Sequence, residues 1–467
     1  MNRFNATLMC GCVCLATFTS AGVAQSHPAP WLDTASAGHA RPIPGPVYES
    51  PAFTRAVASG MRTRTGRPGP RSFVQNARYT INATLDVATD RVSGRERVVY
   101  VNNSPDTLFR LMVYLRQNAF KPESPRRDIT PLTTGVDLTR VLAGREVLTA
   151  MSSRASRAGY TIEASVMRIV PPQPLLPHDS ITLEFEWSYT PPLTPSDGRQ
   201  GREDHLYFMG YWYPQMAVYD DVSGWVADPY LLEAEFYMDM ADYDVHITAP
   251  RGWVVGATGS LQNADAVLSA SARDKLAQAR STGNVVTISR PETADQTFNG
   301  SDANSTWHFT ARNVRDFAWG ASDRYVWDAT RALVSNGTRT DTVAINSYFR
   351  ISQPAAAWAL GGARYTRDAI EQLSKYIWPY PWPVMSSFEG VLTSGGMEYP
   401  MLMVMQPWSD TLSLAGDIMH ETGHMWFPMQ VGSNETRHPW MDEGFTQFNT
   451  AQAMRVLYGE PRFGGRP

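Results

Sequence analysis

The sequence predicts an α+β protein of more than one domain, in which a β-rich N-terminal domain precedes a mainly helical one. Its 467 residues, of which 43% are hydrophobic and 14 are tryptophan, are enough for two or three domains with a large core. Short alternating runs separated by turn residues predict that residues 76–300 form the β-rich domain. Helical periodicity is clearest in 354–376, and residues 301–467 are predicted to form the second domain.

The first 24 residues are predicted to be a secretory signal peptide. Arg3 provides the basic end, an apolar run extends from about Leu8 to Phe18, and small residues precede Gln25. The run is too short to favour a transmembrane anchor, and the residues around Cys12 fit a lipidation signal poorly. All three cysteines lie in this segment, which excludes disulfides and cysteine metal ligands from the mature chain. We therefore expect an exported, periplasmic or extracellular protein with no integral membrane segment after signal removal.

Residues 25–75 are predicted to be an extended linker, because they are rich in Pro, Gly, Ala, Ser and Arg and have little periodicity. Order begins at Tyr79, where apolar residues alternate with polar ones as far as Val87 and predict a half-buried strand. Further strand-like runs occupy 97–102, 108–115, 181–187, 236–248 and 285–288.

The charge balance and the spacing of the histidines limit the classes of function that the sequence allows. A net charge of −4, from 41 basic and 45 acidic residues, gives no sign of nucleic-acid binding or of attraction to an anionic membrane. Seven of the histidines have no ligand-like spacing and are predicted to be structural or surface residues: His27, His39, His178, His205, His246, His308 and His438. We therefore expect the chemistry at the two histidines that remain.

Those two histidines lie four residues apart in His420-Glu421-Thr422-Gly423-His424. On a helix both imidazoles project from one face, about one turn apart, so they can bind the same metal ion. Glu443 follows after 18 intervening residues, and a third ligand there leaves the fourth position of a tetrahedral zinc site open for water. Glu421 then lies beside the metal, where it can accept a proton from water. An ordinary helix face is the alternative, but the spacing of Glu443 makes a chance match much rarer.

Two helices are predicted around this zinc motif. Ser409 or Asp410 can cap the first, an apolar face follows, and a proline after the motif prevents its continuation, which places the motif mid-helix. A polar loop comes next, and Pro439 suits the first turn of a second helix that ends at about Tyr458. Glu443 is thus expected in the first turns of the second helix, from where its carboxylate can reach the metal.

The ligand spacing resembles that of the gluzincin aminopeptidases, the family of aminopeptidase N and leukotriene hydrolase. A second motif strengthens the resemblance, because Gly395-Gly396-Met397-Glu398-Tyr399 precedes the zinc motif and is similar to the family's Gly-x-Met-Glu-Asn segment. The resemblance implies that Gly395, Gly396 and Met397 pair with the substrate backbone. It also implies that Glu398 holds the free α-ammonium group of the substrate.

For the metal, the resemblance implies one zinc ion per chain, with His420, His424 and Glu443 as ligands and Glu421 as the catalytic base. For the fold, it implies an antiparallel β domain followed by a thermolysin-like, mainly helical peptidase domain. The family's oxyanion-stabilising tyrosine lies well downstream of the third ligand, whereas this sequence ends at Pro467. The peptidase domain is therefore predicted to be incomplete at its C-terminus.

Together these features predict a zinc-dependent metallopeptidase, and most simply an aminopeptidase whose substrates are peptides with a free N-terminus. Two alternatives stay open. A non-catalytic zinc-containing peptide-binding module, or an inactive fragment of the family, would bind peptide without turnover. An endopeptidase of the thermolysin type would share the zinc motif but would not need Glu398, so N-acetylated peptides would remain good substrates.

Overall fold

The computed structural model describes residues 48–127, 129–152, 157–393 and 395–459. The predicted signal peptide, residues 1–24, and nearly half of the predicted linker lie outside these ranges. Residues 48–50 have no regular secondary structure, and a compact unit begins at Pro51. Within the described ranges, no helix is long and apolar enough to cross a membrane.

Strands form the larger share of the regular structure. As far as residue 226 they are β1 (Asn76–Asp86), β2 (Arg91–Val101), β3 (Leu111–Tyr114), β4 (Asp137–Ala143), β5 (Glu146–Val147), β6 (Gly159–Glu163), β7 (Val166–Val170), β8 (Ser180–Tyr189), β9 (Gly201–Glu203), β10 (Leu206–Met209), β11 (Gln215–Met216), β12 (Val218–Asp220) and β13 (Gly224–Val226). The later strands are β14 (Ala241–Pro250), β15 (Val254–Ala257), β16 (Ser260–Leu261), β17 (Val286–Ser289), β18 (Asn304–Val314), β19 (Trp319–Ser322), β20 (Tyr325–Ser335), β21 (Thr340–Arg350), β22 (Val384–Glu389), β23 (Gly396–Tyr399) and β24 (Leu402–Met405).

The helices are shorter in total and are concentrated in the second half of the chain. In chain order they are α1 (Pro51–Ala58), α2 (Ala264–Val267), α3 (Ala270–Thr282), α4 (Ala294–Thr297), α5 (Ala356–Tyr376), α6 (Thr411–Gly423) and α7 (Glu443–Tyr458). Short 3₁₀ helices occupy Arg116–Phe120, Pro291–Thr293 and Pro439–Met441. The helix predicted for 354–376 is confirmed as α5.

The largest sheet has the strand order β16-β18-β14-β1-β2-β8-β4-β5. The side chains of β1 alternate between the two faces of this sheet, as the sequence pattern predicts. Those that point inward are all buried: Ala77, Tyr79, Ile81, Ala83 and Leu85. Neighbouring strands are antiparallel except β1 and β14, which run parallel. Smaller sheets have the orders β15-β19-β10-β9, β11-β3-β7-β6 and β12-β13. The β-rich prediction is confirmed, with one parallel pair in a sheet that was predicted to be antiparallel.

A six-stranded sheet positions the zinc motif. Its order is β17-β20-β21-β22-β24-β23, so β23 lies at one edge. The strands β21, β22 and β24 are parallel, whereas β23 is antiparallel to β24. Helix α5 packs on this sheet, and α6 packs against α5, α7, β23 and β24. One continuous hydrophobic core includes residues of both large sheets and of α5 and α6.

The prediction that residues 301–467 are mainly helical is wrong for the first half of that range, which contains β18 to β22. The strands β20 and β21 form a hairpin through Asn336-Gly337, a strong turn signal that the sequence analysis did not use. The first six residues of β20 are all buried, so this part of the strand lacks the alternation by which half-buried strands are recognised. The thermolysin-like character of the helical part stays a prediction.

Regular secondary structure lies inside the predicted linker and close to the predicted domain boundary at residue 300. Helix α1 lies within the predicted linker, residues 25–75. It begins at Pro51, and proline suits the first position of a helix, where a backbone N–H has no partner in any case. The boundary at residue 300 falls just before β18, which pairs with β14 and completes the first sheet. The division of the chain into domains stays a prediction.

Candidate active site

The zinc motif lies at the C-terminal end of α6. Asp410 caps the start of this helix, since its side chain accepts a hydrogen bond from the backbone N–H of Ser413 at 2.7 Å. The helix ends at Gly423, and His424 is its C-terminal cap. The mid-helix prediction is therefore wrong, because the backbone tightens into i→i−3 hydrogen bonds directly after the motif and ahead of Pro428. Of the two predicted capping residues, Ser409 and Asp410, the structure confirms Asp410.

Close packing of α6 against α7 brings the three predicted ligands together. A Cβ on Gly423 would lie 2.9 Å from Cγ2 of Thr446, so a larger residue would separate the two helices. The Nε2 atoms of His420 and His424 are 3.1 Å apart, and Oε2 of Glu443 lies 3.2 Å from the first and 4.0 Å from the second. In tetrahedral zinc sites with bonds of about 2.0–2.1 Å, ligand atoms are roughly 3.3 Å apart. The donor types and their spacing therefore fit one zinc ion.

The other ring nitrogen of His424 faces a carboxylate. Its Nδ1 lies 2.6 Å from Oδ1 of Asp442, which is a hydrogen-bond distance and too short for an ion between the two atoms. An Nδ1–H that donates to Asp442 leaves Nε2 directed at His420 and Glu443, the arrangement typical of zinc-ligating histidines. Burial disfavours the charged imidazole, but Glu398 and Asp442 outweigh this effect and hold the pKa of His424 well above its usual value.

Glu421 is buried beside the strand that carries the second motif. Its Oε2 has no hydrogen-bond partner among the described residues, and a Cβ on Gly396 would lie 2.4 Å from its Oε1. The preceding Gly395 has φ +68°, a conformation that favours glycine. Burial raises the pKa of Glu421, against the opposing effect of His424 and His420. A buried carboxylate with a free oxygen is suited to accept and release a proton.

The edge strand β23 presents Glu398 toward the zinc ligands. Glu398 is 3% exposed, and its Oε1 lies 3.9 Å from Nδ1 of His424. In β23 the side chains alternate, so Met397 and Tyr399 face the other side, where both are buried. The hydroxyl of Tyr399 donates to the backbone carbonyl of Arg199. The structure thus brings Glu398 next to the predicted metal ligands, as the second motif predicts.

Three further acids surround Glu398. Oxygen atoms of Glu235, Glu398, Glu435 and Asp442 all lie within 4.8 Å of one another. Glu235 also pairs with Arg199 at 3.2 Å, whereas Oδ2 of Asp442 has no hydrogen-bond partner in the described ranges. Burial raises the pKa of Glu398 well above its usual value and that of Glu435 to about 8. We call these four residues the acidic pocket, and its chemistry suits a cationic group.

Comparisons of the sequence with known proteins give short matches. Leucine aminopeptidase 2 from Sclerotinia sclerotiorum is 28% identical over 113 residues, and a leukotriene A-4 hydrolase homologue from Botryotinia fuckeliana is 27% identical over 113 residues. Each match covers 22% of this chain, but only 18% of the first relative and 17% of the second. No protein-family model matches the chain.

Comparisons of the fold cover far more of the chain. The crystal structure of an M1 zinc metallopeptidase from Deinococcus radiodurans superposes with a TM-score of 0.53 at 16% identity, covering 84% of this chain and 73% of that one. A mutant of the D. radiodurans enzyme bound to a Tyr-Ser-Ala substrate gives a TM-score of 0.52 at 16% identity, with coverages of 84% and 73%. The resemblance to the gluzincin aminopeptidase family is confirmed.

Three acids of this gluzincin-like site were not predicted from the sequence. Asp442 could have been suspected, because it directly precedes Glu443 and an acid there can support a ligating histidine. Glu435 lies in the polar loop before α7 and belongs to no periodic pattern. Glu235 comes from the segment between β13 and β14, and nothing local in the sequence indicates that it meets Glu398 in space.

Proposed function

We propose that the protein is a zinc-dependent metallopeptidase, and more precisely an aminopeptidase that releases N-terminal residues from peptides. The proposal rests above all on one juxtaposition, in which a buried carboxylate on an edge strand lies against the zinc motif. Glu398 is the carboxylate, and its Oε1 is 3.9 Å from Nδ1 of the ligand His424. This arrangement suits a peptide whose charged N-terminus is held beside the metal site.

The edge strand provides the rest of the peptide site. No strand in the described part of the chain pairs with the outer side of β23, so a peptide can add there as a further strand. Two residues along a strand span about 6.6 Å, and Gly396, which contacts Glu421, is two residues from Glu398. This spacing leaves room for one amino-acid residue between the two carboxylates. This spacing supports the release of a single N-terminal residue.

The residues of the zinc motif divide the chemistry among them. Zinc bound by His420, His424 and Glu443 would polarise the scissile carbonyl and lower the pKa of water. Glu421 accepts a proton from the attacking water and passes it to the departing amine. Asp442 keeps the His424 ring in one orientation through the hydrogen bond to Nδ1. Glu398 holds the α-ammonium group through a charge-assisted hydrogen bond.

The relatives support the same proposal. One is named a leucine aminopeptidase, and a solved M1 zinc metallopeptidase of similar fold is bound to L-arginine, a free amino acid. The latter structure has a TM-score of 0.51 at 15% identity and covers 84% of this chain and 73% of that one. Export to the periplasm or the cell exterior also stays a proposal, because it depends on residues 1–24.

The proposal is tested by hydrolysis of a panel of aminoacyl arylamides by the purified chain with zinc. Each substrate is paired with its N-acetylated form, each reaction is repeated with a chelator, and the Glu421→Gln variant is assayed in parallel. We expect cleavage of the free-amine substrates alone, lost with the chelator and in Glu421→Gln.

Two other results would overturn the proposal. Equal cleavage of internal bonds in N-acetylated peptides would indicate an endopeptidase. Zinc-dependent peptide binding with no turnover, at the same affinity in the wild-type chain and Glu421→Gln, would indicate a non-catalytic binding module.

A further inference from the structure

A second group of metal-ligand side chains lies on the outer face of the eight-stranded sheet. Asp244 and His246 are on β14, where residues of this face alternate with the buried Tyr243 and Val245. His308 is on the neighbouring strand β18 and lies directly opposite His246 in the antiparallel register. The three side chains therefore share one face of two adjacent, hydrogen-bonded strands. None of them belongs to the proposed active site.

The distances within this group are those of atoms that can share an ion. Oδ1 of Asp244 lies 3.0 Å from Nε2 of His308 and 3.6 Å from Nδ1 of His246, and the three ligand atoms all lie within 4.8 Å of one another. The Nδ1 atom of His246 is shielded from solvent and has no hydrogen-bond partner among the described residues. A buried ring nitrogen without a partner is unfavourable unless it binds something.

The chemistry of the group favours a late first-row divalent cation. Two imidazoles and a carboxylate are a common donor set for zinc, with a fourth position left for water. The two rings now stack at 4.0 Å with 8° between their planes, and an ion would require them to tilt. Rotation about the last side-chain torsion of histidine is soft, and all three side chains are partly exposed.

We propose that Asp244, His246 and His308 form a second divalent-metal site that takes Zn²⁺ or a similar ion and cross-links β14 to β18. The ion joins two strands that are distant in sequence, so it stabilises the edge region of the first sheet against unfolding. Sequence spacing did not reveal the site, because its two histidines meet only through strand pairing.

The test compares zinc binding by the full chain and by a variant with both histidines replaced, His246→Thr/His308→Thr. Threonine is chosen because the next cross-strand pair on the same face, Thr248 and Thr306, is already hydrogen-bonded at 2.8 Å. Bound zinc is counted by elemental analysis after equilibrium dialysis, and thermal unfolding is followed with and without zinc. A matched control is His205→Asn, since His205 also contacts an acid, Asp323 at 2.8 Å, but belongs to no ligand group of the described residues.

We expect the wild-type chain and the control to bind one more zinc ion per chain than the double variant. The share of the zinc-induced rise in Tm that depends on this ion is lost only in the double variant. As a second variant, Asp244→Asn keeps the side-chain shape and should weaken binding of the extra ion by at least about tenfold. Equal zinc content and equal zinc-dependent Tm in the wild type and the double variant would overturn the proposal. If the double variant fails to fold, unchanged zinc affinity in Asp244→Asn would overturn it instead.

Discussion

Two of the buried carboxyl groups, those of Glu96 and Glu398, differ in what surrounds them. Glu96 points from β2 into the core of the first sheet, between Ile81 and Phe185 on the neighbouring strands. Neither of its oxygens has a hydrogen-bond partner among the described residues, and burial raises its pKa well above the usual value. The indole of Trp187 opposes this shift, but burial outweighs it. Glu398 is buried to a similar degree, but it lies on the edge strand β23 and its side chain faces the predicted ligand His424.

The difference shows that burial alone does not mark a functional acid. Desolvation raises the pKa of Glu96 and of Glu398 alike. Only Glu398 lies beside side chains that can hold a metal and beside an unpaired strand edge on which a peptide can bind. We therefore expect substitutions near the zinc motif to change catalysis, and a substitution at Glu96 to change stability only.

The largest effect is expected from Glu421→Gln. An amide cannot accept the proton that general base catalysis requires, so kcat should fall by about 10²- to 10⁴-fold. The zinc ligands are untouched, and the zinc content measured by elemental analysis should equal that of the wild type. A variant that keeps the wild-type rate would show that Glu421 is not the base.

A smaller effect is expected from Asp442→Asn. The asparagine cannot provide the charged acceptor that now holds Nδ1 of His424 at 2.6 Å, so zinc affinity should fall by about 10- to 100-fold. Titration of the loaded protein with a chelator of known affinity measures the change. Unchanged zinc affinity would mean that the hydrogen bond does not orient this ligand.

A still smaller effect is expected from the substitution Glu235→Gln in the acidic pocket. The substitution removes one of the four carboxylates near the expected substrate amine, so KM for free-amine substrates should rise by about tenfold. The matched control is Glu233→Gln, two residues earlier, where the side chain is exposed and pairs with Arg127 at the surface. Equal KM values in both variants would exclude Glu235 from substrate binding.

No effect on activity is expected from Glu96→Met, which should change only the stability of the protein. The pKa of Glu96 is higher in the folded protein than in the unfolded chain, so the folded protein keeps this proton to a higher pH. The free energy of unfolding therefore falls as the pH rises from about 4 toward the folded-state pKa. Methionine does not titrate and has no unpaired oxygens, so it removes this loss of stability with rising pH. It should stabilise the protein by about 1–3 kcal/mol near neutral pH. Chemical denaturation of both proteins at acid and neutral pH measures the difference. A Glu184→Met variant of the same sheet is the control, and a wild-type pH profile in Glu96→Met would contradict the account.

The parts predicted from the sequence are those encoded locally. Asp410 as a helix cap, the strand at Tyr79 and the spacing of His420, His424 and Glu443 are visible because each depends on residues a few positions apart or on a known interval. The missed parts arise from long-range contact. Neither the buried first half of β20 nor the meeting of Glu235 with Glu398 leaves a periodic signal.

One ratio of rate constants tests whether Glu398 selects peptides by their free amine. This ratio is kcat/KM for a free-amine substrate divided by kcat/KM for its N-acetylated form, measured in the wild type, in Glu398→Gln and in Glu96→Gln. The account predicts that the ratio falls by about 10- to 100-fold in Glu398→Gln, from loss of a charge-assisted hydrogen bond, and stays at the wild-type value in Glu96→Gln. An unchanged ratio in Glu398→Gln would contradict the claim.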